Sequence, residues 1–345
     1  MTGKDVRPRP TLRTIASHLG VSLGTVSRAL SDDPLIARET REKVRATAEQ
    51  LGYTPDRAAR SLRTGRTGTI ILVLNPHDEV LGFSTSIIRG ITRALHGTSY
   101  HLLVLPDFEG QRDGLIRKIV RNRLADGVIF SRTEPQDIRV RYLTEIRFPF
   151  VSHGRTELPF VHPFVDFDNH EFARCAALSL LEAGARRPAI LLPDPRFTFG
   201  GHLLEGFRVA TGTAGRVLPG VTLDTDGGAF AAVIGKILRG PDPPDGLVLP
   251  GEISGLAAMA AIHDAGLWPG QDVHLAVKQT SGVFDMIRPR ISSFYEDLVE
   301  TGYLMAGFLL RRIEGEEPEK LRHVQSVRVE RQMAPLPQNG GPALP

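Results

Sequence analysis

The sequence holds one cysteine, Cys175, one tryptophan, Trp268, and no apolar run near the roughly 18 residues of a membrane span. A lone cysteine excludes a disulfide framework and a Cys-rich metal site. The 11 histidines form no His-Glu-x-x-His or similar cluster, so neither metal nor cofactor is expected. No Walker A loop occurs. The first strand-like run is followed by Asn75-Pro76-His77-Asp78, where a dinucleotide site would need Gly-x-Gly-x-x-Gly. Residues 1–10 carry Lys4, Arg7 and Arg9 with no apolar stretch behind them, so the expectation is a cytoplasmic protein without a signal peptide or membrane contact. Cys175 and Trp268 read as packing residues of a helix and a turn.

What is present is a chain of 345 residues, 41% apolar, enough for two or more cores. Its charge is uneven. Residues 1–66 contain 13 Lys and Arg against 7 Asp and Glu, a surplus of +6, while the whole chain is +3 and the remainder −3. A basic head on a mildly acidic body suggests that the head meets a polyanion.

Within the head, Thr11 caps a short helix whose Leu12, Ile15, Ala16 and Leu19 share one face, and Gly20 ends it. Val21 sits in the turn. Ser22 caps a second helix, Leu23–Leu30, with Val26, Ala29 and Leu30 inward and Leu23, Gly24, Thr25, Ser27 and Arg28 outward. Two short helices joined through Gly-Val-Ser form a helix-turn-helix, whose second helix suits the major groove. A third helix runs from about Arg38 to Leu51. The stretch Pro55–Gly65 reads as a short basic helix with Arg57, Arg60, Arg63 and a single leucine, Leu62, either a DNA-binding wedge or a linker whose leucine docks on a neighbouring domain. An apolar wedge on a basic helix can pry apart a base step in the minor groove.

The stretches Thr11–Ala16, Val21–Leu30, Thr40–Val44, Leu51-Gly52-Tyr53 and Arg63-Thr64-Gly65 together resemble the headpiece and hinge of the lactose-repressor/galactose-repressor family of regulators. The resemblance implies that Leu23, Gly24 and Arg28 face base edges and that Ser22, Thr25 and Ser27 meet phosphates or nearby groups. It puts Ala59 and Leu62 in the minor groove. Thr11, Arg57 and Arg60 complete the implied DNA-binding set. Two departures matter. Gly24 offers no side chain, which leaves base choice to Leu23 and Arg28. Ala37 stands where the family usually has a capping serine.

From Thr69 onward strand-like and helical runs alternate. The strand-like runs are Thr69–Leu74, Tyr100–Leu105, Gly127–Phe130, Phe148–Ser152, Ala189–Leu192, Gly246–Leu249 and Val273–Val277. The helical ones are Ser84–His96, Gly110–Arg123, Asn169–Ala183, Gly201–Ala210, Ala229–Leu238, Ile253–Ala265 and Tyr295–Ile313. Such alternation means α/β architecture with parallel sheets, long enough for two doubly wound lobes. The resemblance implies a periplasmic-binding-protein-like pair of lobes with a ligand between them. The expected boundaries are a headpiece at 1–54, a hinge at 55–67, an effector-binding and dimerising body at 68–334, and a disordered Pro- and Gly-rich tail at 335–345.

Ligands of such sheets sit beyond the carboxyl ends of the strands. The polar residues there are Asn75, Asp107, Arg132, His153, Arg155, Asp168, Glu252, Lys278 and Gln279; Phe83 joins them as an effector-binding residue. Asp168 can cap the helix that follows it or accept from a ligand hydroxyl. Leu203, Gly251-Glu252 and Lys278-Gln279 replace an arginine, an Asn-Asp and an acidic pair of the family pattern. With Arg132, Arg155 and Lys278 near one cleft, a carboxylated or phosphorylated effector stands beside a neutral sugar as an expectation. The overall reading is a dimeric, effector-controlled, DNA-binding repressor of a pseudo-palindromic operator, not an enzyme. A solute-binding protein or a small-molecule enzyme built on the same body is the alternative.

Overall fold

A computed structural model describes residues 10–53, 65–74, 82–107 and 113–331. The implied hinge residues Arg57, Ala59, Arg60 and Leu62, as well as Asn75 and the tail 335–345, lie outside them. The chain divides into two compact units, residues 1–68 and 69–345.

The first unit contains α1 (Leu12–Leu19), α2 (Leu23–Leu30) and α3 (Arg38–Gln50). Thr11 begins α1 with a reciprocal cap: its Oγ1 accepts from the Thr14 amide at 3.3 Å, and Thr14 Oγ1 accepts from the Thr11 amide at 3.0 Å. Gly20 ends α1 at φ 66°, where a Cβ would be strained. Ser22 accepts from the Thr25 amide and starts α2. Ile15, Ala16, Val26, Ala29, Val44 and Ala48 close one small core, and Val21 is half-buried against it. Ala37 supplies no side-chain cap, so α3 starts without one.

In the second unit the elements run β1 (Thr69–Leu74), α4 (Phe83–Leu95), β2 (His101–Pro106), α5 (Gly114–Arg121), β3 (Gly127–Phe130), α6 (Ile138–Glu145), β4 (Phe150–His153), β5 (Phe164–Phe167) and α7 (Asn169–Glu182). They continue with β6 (Pro188–Ile190), α8 (Thr198–Thr211), β7 (Arg216–Val217), α9 (Gly227–Leu238), β8 (Gly246–Leu249), α10 (Glu252–Asp264), β9 (His274–Gln279), β10 (Ser292–Tyr295), α11 (Leu298–Ile313), β11 (Arg322–Gln325) and β12 (Arg328–Arg331). One sheet has the order β11-β5-β4-β3-β1-β2 and the other β12-β10-β9-β8-β6-β7. All pairs are parallel except β10 with β12, which is antiparallel.

The continuous apolar run of β1 follows from cover on both faces. Ile70, Leu72 and Leu74 enter a core with α4 and α11, while Ile71 and Val73 enter another with α5 and α6. The second sheet repeats this: Leu247 and Leu249 point to one face, Val248 to the other. Each such side chain contributes on the order of 1.5–3 kcal/mol. In the first lobe α4 and α11 lie unusually close, because a Cβ on Gly90 would come within 2.0 Å of the Val299 carbonyl oxygen.

Several short elements depart from the sequence reading. The strands β5, β10, β11 and β12 each have only four residues and mix polar with apolar ones, so they carry little periodic signal. Tyr295 belongs to β10 and not to the helix that follows, which starts at Leu298. The helix α6 lies in a stretch with weak amphipathicity.

These missed strands determine the topology. The chain leaves the first sheet after β5, returns after β10, and leaves again after β11. The three crossings are stitched to one another. The Asp168 amide donates to the Gln325 carbonyl at 3.0 Å, and Gln325 Oε1 accepts from the Asp297 amide at 2.9 Å. Asp168 and Asp297 each cap the helix they open, accepting from Glu171 and Glu300 amides.

Candidate ligand cleft and DNA-reading helix

Beside these crossings lies a cleft of about 950 Å³, open mouth included. The first lobe contributes the ends of β3 and β4, Arg132, Thr133, His153 and Arg155, together with Phe83 from α4. The second contributes Phe199 and His202 from α8 and Lys278 and Thr280 from the end of β9. Asn169 and Glu296 line it from the crossings. Strand ends converge there because parallel sheets point their carboxyl ends at one side.

Every cation expected at this cleft already has a carboxylate. Lys278 Nζ stands 2.7 Å from Glu296 and donates to Asn169 Oδ1 at 3.2 Å, 5.0 Å from the centre of the Phe167 ring. Arg155 Nε donates to Asp166 at 2.7 Å. Arg132 holds Asp224, from the loop after β7, with both terminal nitrogens. Burial alone would raise the Glu296 carboxyl, yet Lys278 and His153 outweigh it and hold its pKa at about 2. The cleft therefore presents both donors and acceptors with these charges paired, and the rings of Phe83 and Phe199 line it.

The Arg132–Asp224 pair also joins the lobes. Next to it, the Thr198 amide and hydroxyl both donate to the Thr133 carbonyl, at 2.9 and 3.1 Å. Arg132 lies over the Phe197 ring, 4.8 Å from its centre. Its own backbone is left-handed, φ 59°, a conformation costing about 1–3 kcal/mol in a non-glycine residue. Arg139 supports that turn by donating to the Arg132 carbonyl at 2.8 Å.

Of the expected effector residues, the structure brings Phe83, Arg132, His153, Arg155 and Lys278 to one cleft. Its described lining does not include Asp107, Asp168, Glu252 or Gln279. Each of the last three has structural work. Asp168 caps α7, and its neighbour Asn169 faces the cleft instead. Glu252 is fully buried and accepts from the Thr280 and Ser281 amides, both at 2.8 Å, which fixes the loop carrying Thr280. Gln279 follows Lys278 on one strand, so the two point to opposite faces, and Gln279 accepts from the Phe284 amide at 3.1 Å. The Asp107 amide extends the strand ladder by donating to the Leu74 carbonyl. Glu296 is not legible in the sequence because the helical stretch read from Tyr295 onward takes it in and β10 is not seen; the strand-end rule finds Glu296 once that strand is in place. Cys175 donates to Glu171, and burial pushes its thiol up to about 11, away from nucleophilic duty.

In the first unit, Ser22, Leu23, Gly24 and Arg28 are exposed on α2, while Thr25 and Ser27 are half-buried. Thr25 Oγ1 and Ser22 Oγ lie 2.8 Å apart, so these hydroxyls serve the turn itself. A Cβ at Gly24 would meet Arg28 Nη2 only at 3.9 Å. The guanidinium thus lies along the face that Gly24 leaves bare. Thr11 is exposed at the start of α1.

A small helix-turn-helix core and a two-lobed body with a polar cleft at its strand ends define a ligand-responsive DNA-binding regulator. The comparisons agree. Residues 11–56 match the profile of bacterial regulatory proteins, lacI family, and residues 177–332 match a periplasmic binding protein-like domain. The chain is 30% identical over 330 residues to the HTH-type transcriptional regulator CelR of Thermobifida fusca, covering 92% of this chain and 96% of that one. It is 30% identical over 266 residues to RafR of Escherichia coli, covering 76% and 79%. A solved complex of CelR with cellobiose superposes with TM-score 0.66 at 27% identity, covering 94% and 99%. The lac repressor dimer bound to operator and the anti-inducer ONPF shares the fold, with TM-score 0.78 at 19% identity and coverage of 94% and 99%. The chain belongs to the LacI family of transcriptional regulators. Among the described residues no helix is long and apolar enough to cross a membrane, and no His, Cys, Asp or Glu group could hold a metal ion.

Proposed function

We propose that this regulator is a cytoplasmic repressor that grips a pseudo-palindromic operator as a homodimer and answers to a neutral di- or oligosaccharide in its cleft. The observation that carries the ligand class is charge balance. Arg132, Arg155 and Lys278 suggest an acidic effector when counted alone, but Asp224, Asp166 and Glu296 already pair with them. An added carboxylate or phosphate at Arg155 or Lys278 would have to displace the buried Asp166 or Glu296, whereas neutral hydroxyls bridge such pairs by donating to one member and accepting from the other. The rings of Phe83 and Phe199 offer apolar surfaces for sugar faces, and the CelR–cellobiose complex supports the same class.

On the DNA side, Leu23 and Arg28 read base edges beside a silent Gly24, with Thr11, Ser22, Thr25 and Ser27 near the backbone. Arg57, Arg60 and the Ala59–Leu62 pair act in the hinge. Headpiece 1–54, hinge 55–67 and body 68–334 are the working parts. Closure of the lobes about the crossings at Asp168, Glu296 and Gln325 alters the spacing of two hinges and so their order.

Titration calorimetry with cellobiose and other neutral disaccharides, against glucuronic and cellobionic acids, tests the effector class. Tight binding by a neutral sugar is the expected result. Tight binding of an acid with no neutral sugar bound overturns it. Operator binding should weaken steeply with rising salt, because bound phosphates release counterions.

A further inference from the structure

His202 lies in α8, one residue before Leu203. The Leu203 side chain is fully buried in a core with Phe167, Phe172 and Phe207. Successive residues of a helix point about 100° apart, so an apolar residue at 203 turns 202 toward the cleft, which His202 lines. Among the solvent-shielded polar atoms that lack a hydrogen-bond partner, His202 Nδ1 belongs to a residue of the cleft. A shielded, unpaired nitrogen is unfavourable, so a turn of the ring that presents it to a ligand hydroxyl in the cleft is favoured.

The charges felt by the imidazole come from Arg155, Asp166 and Glu157 of the first lobe and Glu205 of its own helix. Burial and then Arg155 push its pKa down, so at pH 7 the ring is neutral, with one donor and one acceptor. Directly bonded to each other, Arg155 and Asp166 likewise offer a donor and an acceptor.

We propose that His202 is a specificity-determining residue, reading one hydroxyl of the effector from the second lobe while Arg155 and Asp166 engage a neighbouring hydroxyl from the first. The contact spans both lobes, so it links which sugar binds to how the lobes close. The proposal rests on the neutral-sugar reading above, and the experiment separates the two.

The full chain is titrated calorimetrically with cellobiose and a panel of other neutral disaccharides, and then with monodeoxy analogues of the best binder. Absence of any neutral-sugar binding by the unaltered chain overturns the sugar reading and this proposal with it. Given binding, His202→Ala should weaken the parent sugar at least tenfold. One monodeoxy analogue should lose a similar factor on the unaltered chain and no further affinity on His202→Ala. Retained affinity within twofold, or equal losses for every analogue on both proteins, overturns the role of His202 while leaving the sugar reading intact. His202→Phe keeps a ring of similar size without hydrogen bonding and should reproduce the loss if the alanine variant is unstable.

Discussion

Replacing Lys278 with methionine keeps an unbranched side chain one atom shorter and removes its charge. Glu296 then stays in a site where only 4% of its surface is exposed, with His153 at 3.5 Å as the remaining potential cation. In the intact protein the Glu296 carboxyl is depressed from its ordinary 4.5 to about 2. At about 1.4 kcal/mol per pKa unit, the depression corresponds to roughly 3 kcal/mol of native-state stability. Removing one partner of a buried pair costs about 3–5 kcal/mol, because the other charge is left uncompensated. Lys278→Met should therefore lower the stability of the body by about 3–5 kcal/mol at pH 7, measured by urea unfolding followed by circular dichroism. The pH dependence supplies a second check. A depressed folded-state carboxyl contributes fully above its unfolded pKa, near 4.5, and the contribution is lost as pH falls toward 2. In the variant, burial instead raises Glu296, so proton uptake between pH 7 and pH 5 relieves the penalty and the gap to the unaltered protein narrows. A deficit under about 1 kcal/mol at pH 7, or a gap constant from pH 7 to pH 5, would refute the assignment of Glu296 as a buried, lysine-paired anion.

Asp224→Ala should loosen the link between the lobes: hydrogen exchange at the Thr198 amide, which donates to Thr133 across the cleft, should speed up at least tenfold, whereas amides of β1 should not change. Unchanged Thr198 protection would mean that Arg132 and Asp224 do not hold the lobes together. Leu62→Ala should reduce affinity for a selected operator far more than affinity for random DNA in band-shift titrations at one fixed salt concentration; equal losses would remove Leu62 from the minor groove.

Features whose cause is local could be read along the chain. The Thr11 and Ser22 caps, the Gly20 stop and the uncapped start at Ala37 each involve residues within a few positions of one another. The apolar run Thr69–Leu74 announces a strand covered on both faces, because nothing else accommodates five consecutive buried apolar side chains in extended backbone. The strand-end rule likewise brought Arg132, His153, Arg155 and Lys278 toward one cleft. It failed at Gln279 and Glu252, whose side chains turn into the protein, since a rule about strand ends does not state which face a residue takes.

The helix-turn-helix, the α/β class and the family are legible along the chain, because they follow from nearest-neighbour chemistry and short-period patterns. Tertiary structure alone decided the character of the cleft. Arg132 meets Asp224 across 92 positions, and Lys278 meets Glu296 through the crossing after β10. Those contacts turn a cluster of cations into a neutral surface. A sequence records how many charges there are; which ones neutralise each other depends on where the strand ends converge, and Coulomb energies fall with that distance.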